Sequence, residues 1–182
     1  LSVASAGTQG NGLSQAPSIS ADGRYVAFQS FANNLVSSDT NNNADIFVHD
    51  RQSSTTTLVS VASDGTQGNS FSISPSISAD GRYVTFGSNA SSLVSGDTNG
   101  LADIFIHDRQ SSSTTLVSVA SEGTQGNGPS QASSLSADGR YVLFSSSASN
   151  LVSGDTNGSA DVFVHDRQTS VTTLVSVATD GT

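Results

Sequence analysis

The sequence predicts an all-β protein made of three copies of one four-stranded antiparallel unit, and three observations predict it. The chain repeats with a fixed period. The string Ser-Ala-Asp-Gly-Arg-Tyr-Val begins at Ser20, Ser78 and Ser136, and His49, His107 and His165 stand 58 residues apart (107 − 49 = 58, 165 − 107 = 58). Such periodicity marks stacked supersecondary units. The apolar runs inside each unit are short, β-branched and aromatic, as in Tyr25-Val26-Ala27-Phe28 and Asp45-Ile46-Phe47-Val48, which is the vocabulary of strands. No window of ten or more residues carries a helical i, i+3, i+4 stripe.

Taken in order, the first unit places strand a near 17–20, strand b over 25–30, strand c over 45–50 and strand d over 56–62, all repeated at +58 and +116. Asp22-Gly23 between a and b is a hairpin signal, because glycine tolerates the positive φ of a tight turn. The Gly7-Thr8-Gln9-Gly10-Asn11-Gly12 stretch has no helix after it to hold a phosphate and reads as a flexible d–a loop. Four antiparallel strands per repeat form a β-propeller blade. A β-trefoil, which also has three four-stranded repeats, is the alternative. Leu1-Ser2-Val3-Ala4-Ser5 copies Val59 to Ser63. Residues 1–16 are therefore expected to hold the outer strand and connecting loop of a preceding blade, with blades at 17–74, 75–132 and 133–182. Propellers use about four to eight blades, so three are expected to belong to a larger ring. It would be completed by self-association or by further repeats of the same array.

Ser-Ala-Asp-Gly-Arg-Tyr-Val-Ala-Phe followed by Asp-Ile-Phe-Val-His-Asp resembles the WD-like propeller repeat of the TolB type, whose pattern is Ser-Pro-Asp-Gly, an apolar strand, then an acidic residue before Ile-Tyr-Val. The resemblance covers all three units. It departs at Ala21, where the family has proline, and in a longer b–c loop. It implies a propeller fold and a role in binding and assembly.

Composition narrows the function classes. The chain has six arginines, no lysine and fifteen acids, for a net charge of −9. Phosphate contacts run on Lys and Arg, so nucleic acid is not an expected partner, and neither is an anionic membrane surface. No apolar run reaches the roughly 18 residues that span a bilayer. With no cysteine, disulfides, thiolate nucleophiles and Cys-based zinc sites are excluded. Abundant Ser, Thr, Asn and Gly point to an extracellular or periplasmic bacterial protein. In a meander the d–a and b–c connections share one face. That face receives Asp39, Asp45, Asp64, Asp97, Asp103, Glu122, Asp155, Asp161 and Asp180 with no arginine, an acidic face on which a protein partner is expected.

The b–c loops carry the candidate metal ligands. Asp39, Asn41 and Asp45 recur as Asp97, Asn99 and Asp103, and as Asp155, Asn157 and Asp161. Oxygen ligands at this spacing suit calcium, the one cofactor the sequence suggests. The competing reading is an Asx-turn, with Asp39 and Asn41 bonding nearby amides. His49-Asp50-Arg51 invites a catalytic reading. Adjacent strand residues, however, point to opposite faces, so Asp50 cannot orient His49. The histidines are expected to be structural, and no catalytic or cofactor-binding residue is assigned. The expected function is a non-enzymatic propeller module for protein binding or assembly, calcium-stabilised. A propeller enzyme (glycan lyase or hydrolase) and a lectin-like sugar binder are the alternatives.

Overall fold

The computed structural model describes residues 2–177. Twelve strands form three four-stranded antiparallel meanders. Blade 1 holds β1 (Ser14–Ile19), β2 (Tyr25–Ser30), β3 (Asp45–Asp50) and β4 (Thr55–Leu58). Blade 2 holds β5 (Ser72–Ile77), β6 (Tyr83–Ser88), β7 (Asp103–Asp108) and β8 (Ser113–Leu116). Blade 3 holds β9 (Ser130–Leu135), β10 (Tyr141–Ser146), β11 (Asp161–Asp166) and β12 (Val171–Leu174). The described residues contain no helix. Three separate sheets replace the single barrel of a trefoil, and that alternative is set aside.

Strand a starts at Ser14 rather than Pro17 because a bulge admits the proline. Gln15 pairs with Gln29 and Ser18 with Ala27, so Ala16 and Pro17 together oppose Phe28. Ala16 has φ +49°. A bulge residue needs no ladder donor, so Pro17 costs the sheet nothing there.

Strand d stops at Leu58, short of the expected Ala62. Val59 still donates to Ile46 O, but Val61 N then turns back to Val59 O at 2.8 Å, a three-residue turn that ends the pairing. Ser60 fixes this turn: its hydroxyl donates to Asp45 Oδ1 and accepts from Ile46 N. Residues 2–9, which copy the segment after this turn, consequently form no outer strand. They fold as a small hairpin closed by a Val3–Gln9 bridge.

The core lies between blades. Ala27, Ile46, Val48 and Val59 of blade 1 meet Ile77, Val84, Phe86, Ala90 and Leu93 of blade 2. Ile104, Ile106 and Val117 of blade 2 meet Val142, Phe144, Ala148 and Leu151 of blade 3. Within each blade one phenylalanine pair stacks across β2–β3 and its copies, with ring centroids 5.8 to 6.1 Å apart. Blade 1 carries Val26, Phe28, Ala32 and Leu35 as a further cluster. These are the counterparts of Val84, Phe86, Ala90 and Leu93, with no blade facing them among the described residues.

Candidate functional site

The residues singled out in the b–c loops meet the segment that crosses to the next blade. This segment, here called the strap, runs from Val59 to Asn69 and recurs as Val117 to Asn127. Its tip is a tight hairpin: Ala62 N donates to Thr66 O, and Gly65, at φ +86°, accommodates the return. The expected flexible loop is thus closed by backbone hydrogen bonds. The strap is tied to the following blade through Thr114, whose hydroxyl donates to Val61 O and whose N–H donates to Ser63 Oγ.

Gln67 ties it to the preceding blade. Its Nε2 donates to Asp39 Oδ1 and to Asp45 Oδ2, both at 2.9 Å, while its Oε1 accepts from Thr40 N. Asn41 adds a bond from Nδ2 to Gly68 O, and its own Oδ1 accepts from Asn43 N as an Asx-turn. Gln125 repeats the arrangement with Asp97, Asp103 and Thr98, and Asn99 repeats that of Asn41. One carboxamide therefore sits between two carboxylates and bolts blade to blade. Of the candidate metal ligands, the loop brings the two aspartates of units 1 and 2 to a common donor, whereas Asp155 and Asp161 share none among the described residues. It turns the oxygen of Asn41, Asn99 or Asn157 to a local amide instead.

Asp45 is fully buried and Asp39 nearly so. Burial pushes the Asp45 carboxyl up to about 6, and the neighbouring Asp39 charge adds to it. Asp39 and Asp103 are also raised, chiefly by burial. This revises the charge map of the loop face. Asp39, Asp45, Asp97 and Asp103 are buried in the joints and Asp155 and Asp161 are buried in the b–c loop of blade 3, leaving Asp64 and Glu122 exposed, while Asp180 lies outside the described residues. The same edge of the blades also exposes Leu13, Phe31 and Phe71.

The opposite face is built from ion pairs. Arg24 grips Asp50 with two hydrogen bonds (Nε to Oδ1 3.0 Å, Nη2 to Oδ2 2.7 Å), repeated by Arg82–Asp108 and Arg140–Asp166. The guanidinium holds each carboxyl well below the usual carboxylate range. Two of the remaining three arginines join blades: Arg109 lies 4.5 Å over the Tyr25 ring of the preceding blade and Arg167 lies 4.2 Å over Tyr83, while Arg51 donates to Gly23 O of its own blade. Gly81 and Gly139 back onto the same two rings, where any Cβ would clash.

Each histidine is buried against a threonine: His49 Nδ1 to Thr56 Oγ1 is 2.9 Å, and His107–Thr114 and His165–Thr172 copy it. Since Thr56 donates its only hydroxyl proton to Val3 O, Nδ1 must be the donor to Thr56. Burial lowers the pKa of all three. No group of three or more His, Cys, Asp or Glu is placed to hold a metal among the described residues.

Ala21 has its own role in the joints. Its N–H donates to Ala79 O at 2.9 Å, and Ala79 N donates to Ala137 O at 2.8 Å. A proline there has no such donor, so the departure from the Ser-Pro-Asp-Gly pattern supplies an inter-blade bond.

No protein-family model and no curated protein matches the chain. Solved structures do. A TolB-like protein from Agrobacterium tumefaciens superposes with TM-score 0.58 at 18% identity, covering 89% of this chain and 48% of that one. The fold is a TolB-like β-propeller. TolB from Acinetobacter baumannii gives TM-score 0.54 at 16% identity, over 93% of this chain and 36% of that one. The propeller domain of the trilobed protease from Pyrococcus furiosus, described as having an open velcro topology, gives 0.55 at 12%, over 89% and 41%. The TolB-like blades thus span about half or less of each of these proteins.

Sequence reasoning missed Gln67 and Gln125. The available signal was the string Gly-Thr-Gln-Gly-Asn, identical at Gly7, Gly65 and Gly123.

Proposed function

We propose that the chain is a non-enzymatic propeller module for protein binding or assembly, acting outside the cytoplasm. The observation that carries this reading is how the repeat spends its polar groups. The histidines, which a catalytic site would draw on, hold the threonines that tie the straps, and Gln67 and Gln125 join blade to blade through the b–c aspartates of blades 1 and 2. A protein partner finds its footing on the loop face, where Leu13, Phe31 and Phe71 are exposed beside Asp64. The native mass in solution tests the assembly reading. A multiple of 18.4 kDa is expected, and a monodisperse single chain at all concentrations overturns it.

Calcium in the b–c loops is a second reading, favoured by one observation: both oxygens of buried Asp155 lack a partner among the described residues. A bound ion would raise stability by mass action. Melting in millimolar calcium is expected to exceed melting in chelator, and Asp155→Asn is expected to reduce that difference. Equal melting in both overturns the reading.

A further inference from the structure

In the middle blade, the strap that leaves for blade 3 stands off from the edge strand β8 and from the b–c loop. A cleft of about 810 Å³ opens between these three segments, within the roughly 300–1,000 Å³ of small-ligand pockets. Its lining is unlike the rest of the chain. The protein has fifteen acids and six arginines, yet no carboxylate, guanidinium or imidazole lines the cleft. Val94, Leu116 and Val119, all half-buried, give it apolar surface. Beside them stand Thr98, Thr115 and Thr124, exposed, with hydroxyls that have no hydrogen-bond partner among the described residues. The carboxamides of Asn99 and Gln125 also face the cleft, but their N–H groups are committed to the blade joint.

This chemistry selects its occupant. A charged ligand would lose water without gaining a counter-charge, and the net charge of −9 repels an anion further. A peptide adding a strand would need the free backbone edge of β8. Ser63 closes that edge, since its Oγ accepts from Thr114 N and donates to Thr114 O. A threonine hydroxyl both donates and accepts, so it pairs with another hydroxyl in either sense, and the apolar residues beside it suit C–H surface. A pyranose ring presents both.

We propose that this cleft is a binding site for a neutral oligosaccharide, its hydroxyls bonded by Thr98, Thr115 and Thr124 and its C–H faces packed on Val94, Leu116 and Val119. Gly96 keeps the entrance clear: it lines the cleft, and a Cβ added there meets nothing within 4 Å. Blade 1 repeats the same six residue types at Val36, Thr40, Thr57, Leu58, Val61 and Thr66. There, however, Ser38 replaces Gly96 and Thr40 Oγ1 is spent on Gln67 Oε1. The site is accordingly assigned to blade 2.

The ¹⁵N-labelled full chain titrated with maltohexaose, cellohexaose, laminarihexaose and chitohexaose, followed by amide chemical shifts, tests this. At least one of the four is expected to give saturable shifts at Thr98, Thr115 and Thr124 while leaving exposed Gln52 unmoved. Gly96→Met fills the cleft and is expected to weaken that binding at least tenfold with an unchanged melting temperature. Thr115→Val is expected to weaken it roughly fivefold, the loss of one neutral hydrogen bond. No saturable shift with any of the four, shifts centred on other residues, or equal affinity in Gly96→Met overturns the proposal. So does tighter binding of an oligogalacturonate or of a Ser/Thr hexapeptide at the same residues. None of these outcomes moves the native mass that tests the assembly reading.

Discussion

Replacing Gln67 by alanine isolates what the carboxamide contributes to a joint. The change removes two hydrogen bonds to the carboxylates of Asp39 and Asp45 and the acceptor for Thr40 N. Bonds to charged groups contribute about 1.5–3 kcal/mol each. Gln67 itself is half-buried, so water enters part of the vacated space, and a net loss of about 2–4 kcal/mol follows. For a chain of this size that is a fall of roughly 5–15 °C in melting temperature. The loss depends on pH with a definite sign. Asp45 is raised to about 6 from 3.8, so its contribution is fully present below the ordinary carboxylate value and lost as pH rises through about 6. Those two values correspond to about 3 kcal/mol, an upper figure. Without Gln67 the carboxyl is raised further. At pH 5 a protonated Asp45 then donates to its neighbour and recovers part of the loss. Thermal melts followed by circular dichroism at pH 5 and pH 8 are therefore expected to show the larger deficit at pH 8. Gln52→Ala, at an exposed position, is the control. A deficit equal at both pH values, or no larger than that of the control, refutes the role given to Gln67.

His107→Ala removes the donor to Thr114 from a buried site and is expected to lower stability by about 1–3 kcal/mol in urea titrations; an unchanged midpoint contradicts the structural role. Because burial depresses the histidine pKa values, their contribution is present above the ordinary value near 6.5 and lost as pH falls below it. Proton NMR of the wild type is expected to show protonation of His107 below the usual pH. Ala79→Pro deletes the donor to Ala137 O and is expected to cost about 1 kcal/mol or more, read as a lower melting temperature. Asp50, Asp108 and Asp166 are held low by arginine, so their stabilisation is present above about pH 4 and lost below it. Arg82→Ala is expected to flatten the acid limb of a melting-temperature profile, and an unaltered limb would count against the pairing.

Strands b and c were readable because their apolar runs coincide with the pairing itself, Tyr25 to Ser30 against Asp50 to Asp45. The Asp22-Gly23 turn was readable from chemistry alone, and Gly23 takes φ +72°. The end of strand d was not. Val59-Ser60-Val61 alternates like a strand, and what stops it is Ser60 bonding Asp45, 15 residues upstream. The b–c loop was legible as an oxygen-rich cluster and as an Asx-turn. Its donor was hidden because Gln67 lies 28 residues beyond Asp39, in a glycine-rich stretch whose local pattern shows only a turn.

The joints are chemically interchangeable, and that raises a sorting problem during folding. Any strap glutamine fits any b–c socket, so Gln125 could enter the socket at Asp39 that belongs to Gln67. Sequence distance decides the matter. The correct closure spans 28 residues and the misdocked one 86 (125 − 39 = 86). The longer loop costs about 1 kcal/mol more in closure entropy, roughly a fivefold preference for the adjacent socket. During synthesis the bias is stronger, since Gln67 emerges 58 residues before its competitor. An array of near-identical blades thus assembles in order by proximity. The same near-identity means that a blade skipped under crowded refolding would find a well-shaped but wrong berth, a trap that is stable because its contacts are native in kind.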